Sequence, residues 1–315
     1  MGILIVFPDW LILPSNLNPL GALPARFRRQ RVLIVGCGDV GMRAAQLLRQ
    51  RVRVLALTSN SERVPALRAA GIVPLLGDLD RPGTLARVAG LASRVIHLAP
   101  PPGEGMADPR TQALTRVLLR RELPLSMVYG STSGVYGDCG GEWLNETRAV
   151  NPQTPRAWRR VDAELHMRSL GRRGVRASIL RIPGIYAPDR EGGTPRERLL
   201  KATPVLVAEE DVFTNHIHAD DLARACVLAL WHGRPQRVVN VSDDSDLKMG
   251  DYMDLAADLY QLPRPPRTTL AQAAETLSAM RLSFMRESRR LDNQRMKREL
   301  RLRLAYPTVH QGLID

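Results

Sequence analysis

Short β-branched or leucine-rich runs alternate with amphipathic stretches along most of this chain. Runs with no polar face are typical of strands buried on both sides, and the stretches between them have apolar residues at helical spacing. The seven predicted strands are RVLIVG, RVRVLALT, GIVPLLGD, SRVIHLAP, LSMVYGST, VRASILRI and RVVNVS. This alternation predicts an α/β fold: a doubly wound parallel sheet of the Rossmann type with a smaller, interleaved C-terminal substrate lobe.

The limits of this pattern divide the chain into three parts. We predict an N-terminal extension at 1–30, a Rossmann domain at 31–182 plus 215–243, and a substrate lobe at 183–214 plus 244–315. The extension is apolar but is interrupted by proline and aspartate, is shorter than a membrane span and has no basic start of a signal peptide. We therefore expect no membrane partner.

Three glycines follow the first predicted strand, in LIVGCGDVGMRAA, and open a helix. In this context a G-x-G-x-x-G motif indicates a dinucleotide site, with an ordinary strand-to-helix turn as the alternative. Gly36 permits the tight turn, Gly38 lets the backbone approach a diphosphate, and Gly41 allows close helix packing. Asp39 and Val40 belong to the same predicted cofactor loop, whose amides face the anion at the helix N-terminus.

The end of the second strand, LTSNSERV, indicates which nicotinamide cofactor is bound. NAD sites usually have an acidic residue here, about 20 residues after the glycines, to bind the ribose 2′-hydroxyl. This chain has the hydroxyls of Thr58 and Ser59 and the cation of Arg63, and Glu62 lies late in the segment. A 2′-phosphate is accommodated more easily than repelled, so NADP is favoured slightly over NAD.

Further predicted cofactor contacts lie at the ends of the third, fourth and sixth strands. Asp78 is predicted to bond the adenine, with a turn-capping aspartate as the alternative. The other predicted contacts are Leu79, Leu98, Ala99, Pro100 and Pro183. His97 lies in an apolar strand and is interpreted as a core histidine rather than a catalyst.

The composition limits the classes of partner. The formal net charge is +13, nearly all of it from arginine, and the arginines are scattered over the chain. Aromatic residues make up only 4%, which argues against stacking platforms for single-stranded nucleic acid. We therefore expect no nucleic-acid partner. Three isolated cysteines fit a reducing cytoplasm, and no Cys/His spacing indicates a metal site.

The order of several motifs resembles the extended short-chain dehydrogenase/reductase superfamily, specifically the NAD-dependent epimerase/dehydratase family. The motifs are the glycine loop, GDLD, HLAPP, STSGVYGDCGGEWLNE, LRIPGIYAP, NHIHADDLARA and VVNVSDDS. Within the family, the chain resembles an atypical subgroup of nucleoside-diphosphate-sugar epimerase-like proteins. The family has a Ser or Thr four residues before the Tyr of VYG to bond the reacting oxygen, which implies Thr132. A structural threonine at a strand end is the alternative.

The resemblance also exposes a departure from the family. Family members use a Tyr as base, a Lys four residues later and often a Glu four beyond that. Aligning Glu164 in RAWRRVDAE with that Glu puts Arg156 at the Tyr position and Arg160 at the Lys position. Arginine stays protonated near neutral pH and cannot serve as the acid or base, although Arg160 can still hold a ribose or a phosphate.

Candidate substitutes for the missing tyrosine are Tyr136, Tyr186 and His218. We expect Tyr136 to pack and Tyr186 to line the substrate cleft. In NHIHADD, the family implies the start of a helix capped by Asp220 or Asp221.

Two functions follow from these residues. The first is an NAD(P)-dependent oxidoreductase or epimerase/dehydratase for a hydroxylated small molecule, anionic or nucleotide-linked, whose charge pairs with Arg156, Arg181 or Arg190. The second is a non-catalytic NAD(P)-binding sensor or interaction protein that has lost the catalytic pair. The family also implies a homodimer through the helices around 108–121 and 155–170.

Overall fold

The computed structural model describes residues 30–276, 282 and 285–314, so the predicted extension, apart from residue 30, lies outside the described residues. The strands are β1 (Arg31–Val35), β2 (Arg53–Thr58), β3 (Val73–Leu76), β4 (Arg94–His97), β5 (Ser126–Thr132), β6 (Trp143–Leu144), β7 (Arg176–Ile182), β8 (Gly184–Tyr186), β9 (Val205–Leu206), β10 (Phe213–Thr214), β11 (His216–His218), β12 (Arg237–Asn240), β13 (Leu247–Lys248), β14 (Arg267–Thr268) and β15 (Arg290–Leu291). The helices are α1 (Asp39–Leu48), α2 (Val64–Ala69), α3 (Pro109–Leu118), α4 (Pro155–Arg172), α5 (Arg196–Leu200), α6 (Ala219–His232), α7 (Met249–Tyr260), α8 (Leu270–Thr276), α9 (Gln294–Glu299) and α10 (Val309–Gly312).

Seven strands form one sheet in the order β12-β7-β5-β4-β1-β2-β3. Every neighbouring pair is parallel. The seven runs predicted as strands form these seven strands, so the predicted doubly wound sheet is confirmed. The strand order reverses between β1 and β4, and open parallel sheets bind ligands at the carboxyl edge near such a reversal.

Both faces of the sheet are buried, which explains the uninterrupted apolar runs. On β1, Leu33 and Ile34 point to opposite faces and both are fully buried. Ile34 packs in a cluster with Ala44 of α1 and Met296 of α9, whereas Leu33 packs in a cluster with Met167 of α4. Helices on the two faces thus hold the sheet from both sides.

Smaller pairs of strands lie beyond the sheet. These pairs are β8 with β11, β9 with β14, β6 with β15, and the antiparallel β10 with β13. A separate apolar cluster joins Leu199, Val205, Met253 and Val309, all from segments predicted to form the lobe. In contrast, α9 packs on the main sheet although its residues belong to the predicted lobe. The division into domains stays a prediction.

Candidate functional site

The glycine loop between β1 and α1 has the geometry that its sequence predicts. Gly36 has a positive φ of +84°, and a Cβ there would lie 2.2 Å from the backbone nitrogen of Ala99. A Cβ at Gly41 would lie 2.9 Å from the carbonyl oxygen of Gly36. At Gly38 a Cβ would meet no heavy atom of the described residues within 4 Å, so this glycine leaves open space rather than filling a contact. The loop is therefore tight on its inner side and open on its outer side.

The open side of the loop coincides with the N-terminus of α1. The N-cap residue is Gly38, which supplies no side-chain oxygen to the first amides of the helix, and Asp39 is the first helical residue. Uncapped amides and the positive end of the helix dipole favour an anion. Val40 is partly buried and packs against the apolar cluster behind the loop. The residues present therefore fit a diphosphate.

The loop after β4 lies directly beside the glycine loop. The carbonyl oxygen of Val35 accepts hydrogen bonds from the amides of Leu98, at 2.7 Å, and Ala99, at 3.1 Å. Pro100 is exposed at the same edge, and its carbonyl oxygen accepts from Arg110. The structure thus brings three predicted contacts of the fourth strand next to the glycines.

Arg63 reaches the glycine loop from the end of β2. Its Nη2 atom donates to the carbonyl oxygen of Cys37 at 2.7 Å. Ser59 is exposed, whereas Thr58 is buried and its hydroxyl is bonded to Asn60. Burial raises the pKa of the Cys37 thiol to about 11, more than Arg63 lowers it, so this side chain is a neutral packing group.

Asp78 forms a capped turn after β3. Its Oδ1 accepts from the amide of Asp80 at 2.9 Å, and its own amide donates to the hydroxyl of Thr84 at 2.8 Å. The carboxylate stays partly exposed, as does Leu79. The turn-capping alternative is present in the structure, and an adenine contact through the other carboxylate oxygen stays a prediction.

His97 is a core residue, as predicted. It is fully buried at the end of β4, and burial, reinforced by the nearby charge of Arg160, lowers its pKa to about 3. Its Nε2 atom lies 2.9 Å from the hydroxyl of Thr111, which donates to Asp108. The hydroxyl must therefore accept from His97, and the imidazole is neutral with its hydrogen on Nε2.

Thr132 ends β5 at the same carboxyl edge. Its side-chain oxygen accepts a hydrogen bond from the amide of Gly134 at 3.3 Å, which caps the short 3₁₀ turn Ser133–Tyr136. The structural role foreseen as the alternative is therefore present. A hydroxyl that accepts one bond still has its hydrogen to donate, so this role is compatible with holding an oxygen of a substrate.

Arg160 lies against the end of β5 as well. Its Nη1 atom donates to the carbonyl oxygen of Gly130 at 2.7 Å and to the hydroxyl of Tyr129 at 3.1 Å. Arg156 lies one turn earlier on α4, so the two guanidinium groups share one face of the helix. Arg156 is exposed, and Pro183 is partly buried after β7. The helix thus presents two cations where the resemblance implies acid/base chemistry.

The three candidate substitutes for the missing tyrosine are all buried. Tyr136 packs as expected, with its hydroxyl donating to Asn240 at 2.8 Å. The expectation that Tyr186 lines a cleft is wrong, because it is only 2% exposed and its hydroxyl donates to the carbonyl of Thr308. His218 is also buried and stacks on Tyr306 with ring centroids 3.7 Å apart.

The predicted cap of α6 is also wrong. The cap is His218, whose Nδ1 accepts from the amide of Asp220. Asp221 is fully buried and accepts instead from the amides of Ala305 and Tyr306. The carboxylate holds a distant chain segment, which no local pattern reveals.

A buried ion pair behind Thr132 was not expected from the sequence. Glu164 accepts from Ser131 at 2.7 Å and forms two bonds with Arg181, at 3.1 and 2.8 Å. Both side chains are almost inaccessible, and the Arg181 guanidinium lies 4.6 Å from the ring centre of Tyr136. The proposed pairing of Arg181 with substrate is therefore wrong. Its charge is used inside the protein to fix α4 against β5 and β7.

Two further properties of the described part of the chain concern membrane spans and metal sites. No helix there combines the length and apolar character needed to cross a bilayer. Among the same residues, no group of three His, Cys, Asp or Glu side chains could hold a metal ion.

Comparisons with known proteins identify the family and the fold. The model of the family described as "NAD dependent epimerase/dehydratase family" matches residues 32–242, more than half of the chain. No curated protein sequence matches significantly.

Solved structures share the fold over nearly the whole chain. A conserved protein of unknown function from Silicibacter pomeroyi is 28% identical, with 90% of this chain and 97% of that chain covered and a TM-score of 0.74. The UDP-glucose 4-epimerase of Thermotoga maritima with UDP-glucose is 18% identical, with 90% and 96% covered and a TM-score of 0.73. The UDP-glucuronic acid 4-epimerase of Bacillus cereus with UDP-glucuronic acid and NAD is 17% identical, with 90% and 96% covered and a TM-score of 0.71.

Proposed function

Because this chain belongs to the NAD-dependent epimerase/dehydratase family, we propose that it is an NAD(P)-dependent oxidoreductase or epimerase for a hydroxylated, anionic small molecule. The observation that carries the proposal is the juxtaposition at one sheet edge of the open glycine loop, Thr132 and Arg160. The glycine loop would hold the dinucleotide, which would supply a site that accepts and returns a hydride. The chain itself supplies the groups that orient the substrate and hold its charge.

Thr132 is the group proposed to hold the reacting oxygen. Since its oxygen already accepts from Gly134, its hydrogen is available to donate to a different partner, and it would stabilise the oxygen of a carbonyl or alkoxide. An arginine side chain does not act as a general acid or base near neutral pH. When a substrate alcohol is oxidised, the proton of its hydroxyl group therefore passes to water in this proposal.

Arg156 and Arg160 support an anionic substrate. The two guanidinium groups share one helix face, and both would attract a carboxylate or phosphate of a substrate, in addition to the charge of Glu287 that already acts on Arg156. The Bacillus cereus relative holds UDP-glucuronic acid and the Thermotoga maritima relative holds UDP-glucose, both anionic nucleotide sugars. A nucleotide-linked sugar is therefore the first substrate class to test, and a cytoplasmic location fits such a substrate.

We propose NADP rather than NAD as the preferred cofactor. Arg63 bonds the loop at Cys37 through one nitrogen, which leaves its other donors for a 2′-phosphate, and the neighbouring Ser59 is exposed. Replacing Arg63 by glutamine should weaken NADP binding about tenfold and leave NAD binding nearly unchanged. Arg68→Gln, an exposed arginine on α2, is the matched control. Tighter binding of NAD than NADP by the unaltered protein would reject this preference.

A second function is supported by a specific observation. Tyr136, Tyr186 and His218 are all buried, and the family resemblance implies arginines at the positions of the family's Tyr and Lys. A protein with this arrangement is suited to bind the dinucleotide as a sensor without turning over a substrate.

One experiment separates the two functions. The purified protein is incubated with NAD or NADP and with UDP-glucose, UDP-glucuronic acid or their free sugar acids, and the products are separated chromatographically. The enzyme proposal predicts multiple turnovers. The turnover rate should be lowered about a hundredfold in Thr132→Val and retained in Thr132→Ser. The sensor would be supported instead if the protein binds the dinucleotide, converts none of these substrates and is unaffected by Thr132→Val.

We also propose that the chain forms a homodimer through α3 and α4. On α4, Trp158 is 45% exposed and Leu165 is 57% exposed, and their spacing puts both on one face of the helix. Trp158→Glu is expected to shift the protein to the monomer in analytical ultracentrifugation. A monomer at high concentration of the unaltered protein would rule out this interface.

A further inference from the structure

A tight loop after β8 lies against the N-terminus of α1. The loop is closed by three backbone hydrogen bonds, Ala187 to Gly193 at 3.2 Å, Arg190 to Ala187 at 3.2 Å and Gly193 to Arg190 at 2.9 Å. A Cβ at Gly193 would lie 2.7 Å from the Cβ of Arg190, so the glycine permits this close packing. The loop, which belongs to the predicted substrate lobe, therefore holds Arg190 in a defined position.

Ion pairs join this loop to the first turn of α1. All three guanidinium nitrogens of Arg43 are engaged, with Asp39 at 3.0 Å, Asp189 at 2.6 Å and Asp220 at 2.6 Å. Next to Asp189, Arg190 places its Nε atom 3.8 Å from the second carboxylate oxygen of Asp39. Each nitrogen of the Arg43 guanidinium thus already faces a carboxylate, whereas Arg190 makes one long contact.

The remaining donors of Arg190 are the notable feature. Its Nη1 atom is buried and makes no hydrogen bond to any described residue. A buried cationic donor without an acceptor is costly, so an anion that accepts from Nη1 would stabilise this side chain, which is otherwise 30% exposed. Asp39, which Arg190 contacts, directly follows Gly38 on the open side of the glycine loop. Arg190 therefore lies at the place where a diphosphate would reach the helix N-terminus.

We propose that Arg190 binds the diphosphate of the dinucleotide, and that Asp39 holds it in place until the cofactor enters. This rests on the proposed cofactor site. Arg190 is thus a cofactor ligand rather than a substrate ligand. The carboxylate of Asp39 repels the incoming diphosphate and competes for Arg190, so its removal should favour binding. The loop that carries Arg190 then becomes attached to the cofactor, which couples the predicted lobe to cofactor binding.

The test measures binding of ADP-ribose, which contains the diphosphate and lacks the nicotinamide ring, by isothermal titration calorimetry. Arg190→Gln should bind ADP-ribose about tenfold to a hundredfold more weakly, the range for a lost charge-assisted hydrogen bond. Arg190→Lys should be intermediate, and Asp39→Asn should bind more tightly than the unaltered protein. Arg172→Gln, which removes an equal charge at the exposed end of α4, should change nothing. Binding of adenosine, which has no phosphate, should be the same in all variants.

The possible outcomes separate this inference from the cofactor proposal. If the unaltered protein binds ADP-ribose and Arg190→Gln binds it equally well, the inference is overturned while the cofactor site stands. If the unaltered protein does not bind ADP-ribose, both fail. If Arg190→Gln also binds adenosine more weakly, the fold of its site is lost. The affinity of Arg190→Lys for ADP-ribose is then compared with that of the unaltered protein, and an equal affinity overturns the inference.

Discussion

Replacing Gly38 by alanine tests the cofactor role of the glycine loop without disturbing its structure. The backbone here has φ −76° and is extended, which any residue adopts, and the added Cβ meets no described heavy atom within 4 Å. The free energy of unfolding should therefore change by at most about 1 kcal/mol. The methyl group does occupy the space through which a diphosphate approaches the amides. Losing even one hydrogen bond to a charged group costs about 1.5–3 kcal/mol, so the affinity for NAD(P) should fall at least about tenfold.

Gly36→Ala should show the opposite behaviour. A left-handed alanine costs about 1–2 kcal/mol. The Cβ would also lie 2.2 Å from the nitrogen of Ala99, and overpacking of this kind costs about 1–3 kcal/mol. The expected loss in the free energy of unfolding is about 2–5 kcal/mol.

Urea denaturation and titration with NAD and NADP measure both effects. Gly83→Ala is the matched control, because Gly83 is exposed, has an ordinary φ and has no described heavy atom near its Cβ. It should leave both stability and binding unchanged. If Gly38→Ala binds the dinucleotide as tightly as the unaltered protein, the diphosphate does not lie over Gly38 and the assignment of the site is refuted.

Two further predictions concern buried carboxyl groups. Glu164→Gln leaves Arg181 charged and buried without its partner, so the free energy of unfolding in urea should fall by about 3–5 kcal/mol. The control Glu142→Gln, at the surface, should change this free energy by less than about 1 kcal/mol. An equal, small effect of both would contradict the assigned role of the pair. Burial raises the pKa of Asp243 from 3.8 to about 8. Between these two pH values, the carboxyl group is protonated in the folded protein and ionised in the unfolded chain. Its stability should therefore fall as the pH rises from about 4 to about 8, and Asp243→Asn should weaken this dependence; parallel profiles would show that Asp243 ionises normally.

The strands, the glycine loop and the family could be predicted because each depends on neighbouring residues. Burial on both faces requires an uninterrupted apolar run, so β1 is evident from its own five residues. The roles of Gly36, Gly38 and Gly41 also follow from local backbone geometry. Thr132 is implied by the family resemblance, counted back from Tyr136 within one motif, and its role toward a substrate stays a prediction.

Contacts between distant segments decided the rest. Whether Tyr186 is exposed depends on Thr308, and whether Asp221 caps its own helix depends on Ala305, far along the chain. The pairing of Glu164 with Arg181, and the approach of Arg190 to Asp39, likewise arise only once the sheet is assembled. Local pattern reveals backbone conformation and burial, because these are set by each residue and its neighbours. The partner of a charged group is set by the packing of whole elements, and so only the tertiary structure shows which arginines, such as Arg181, are paired inside the protein.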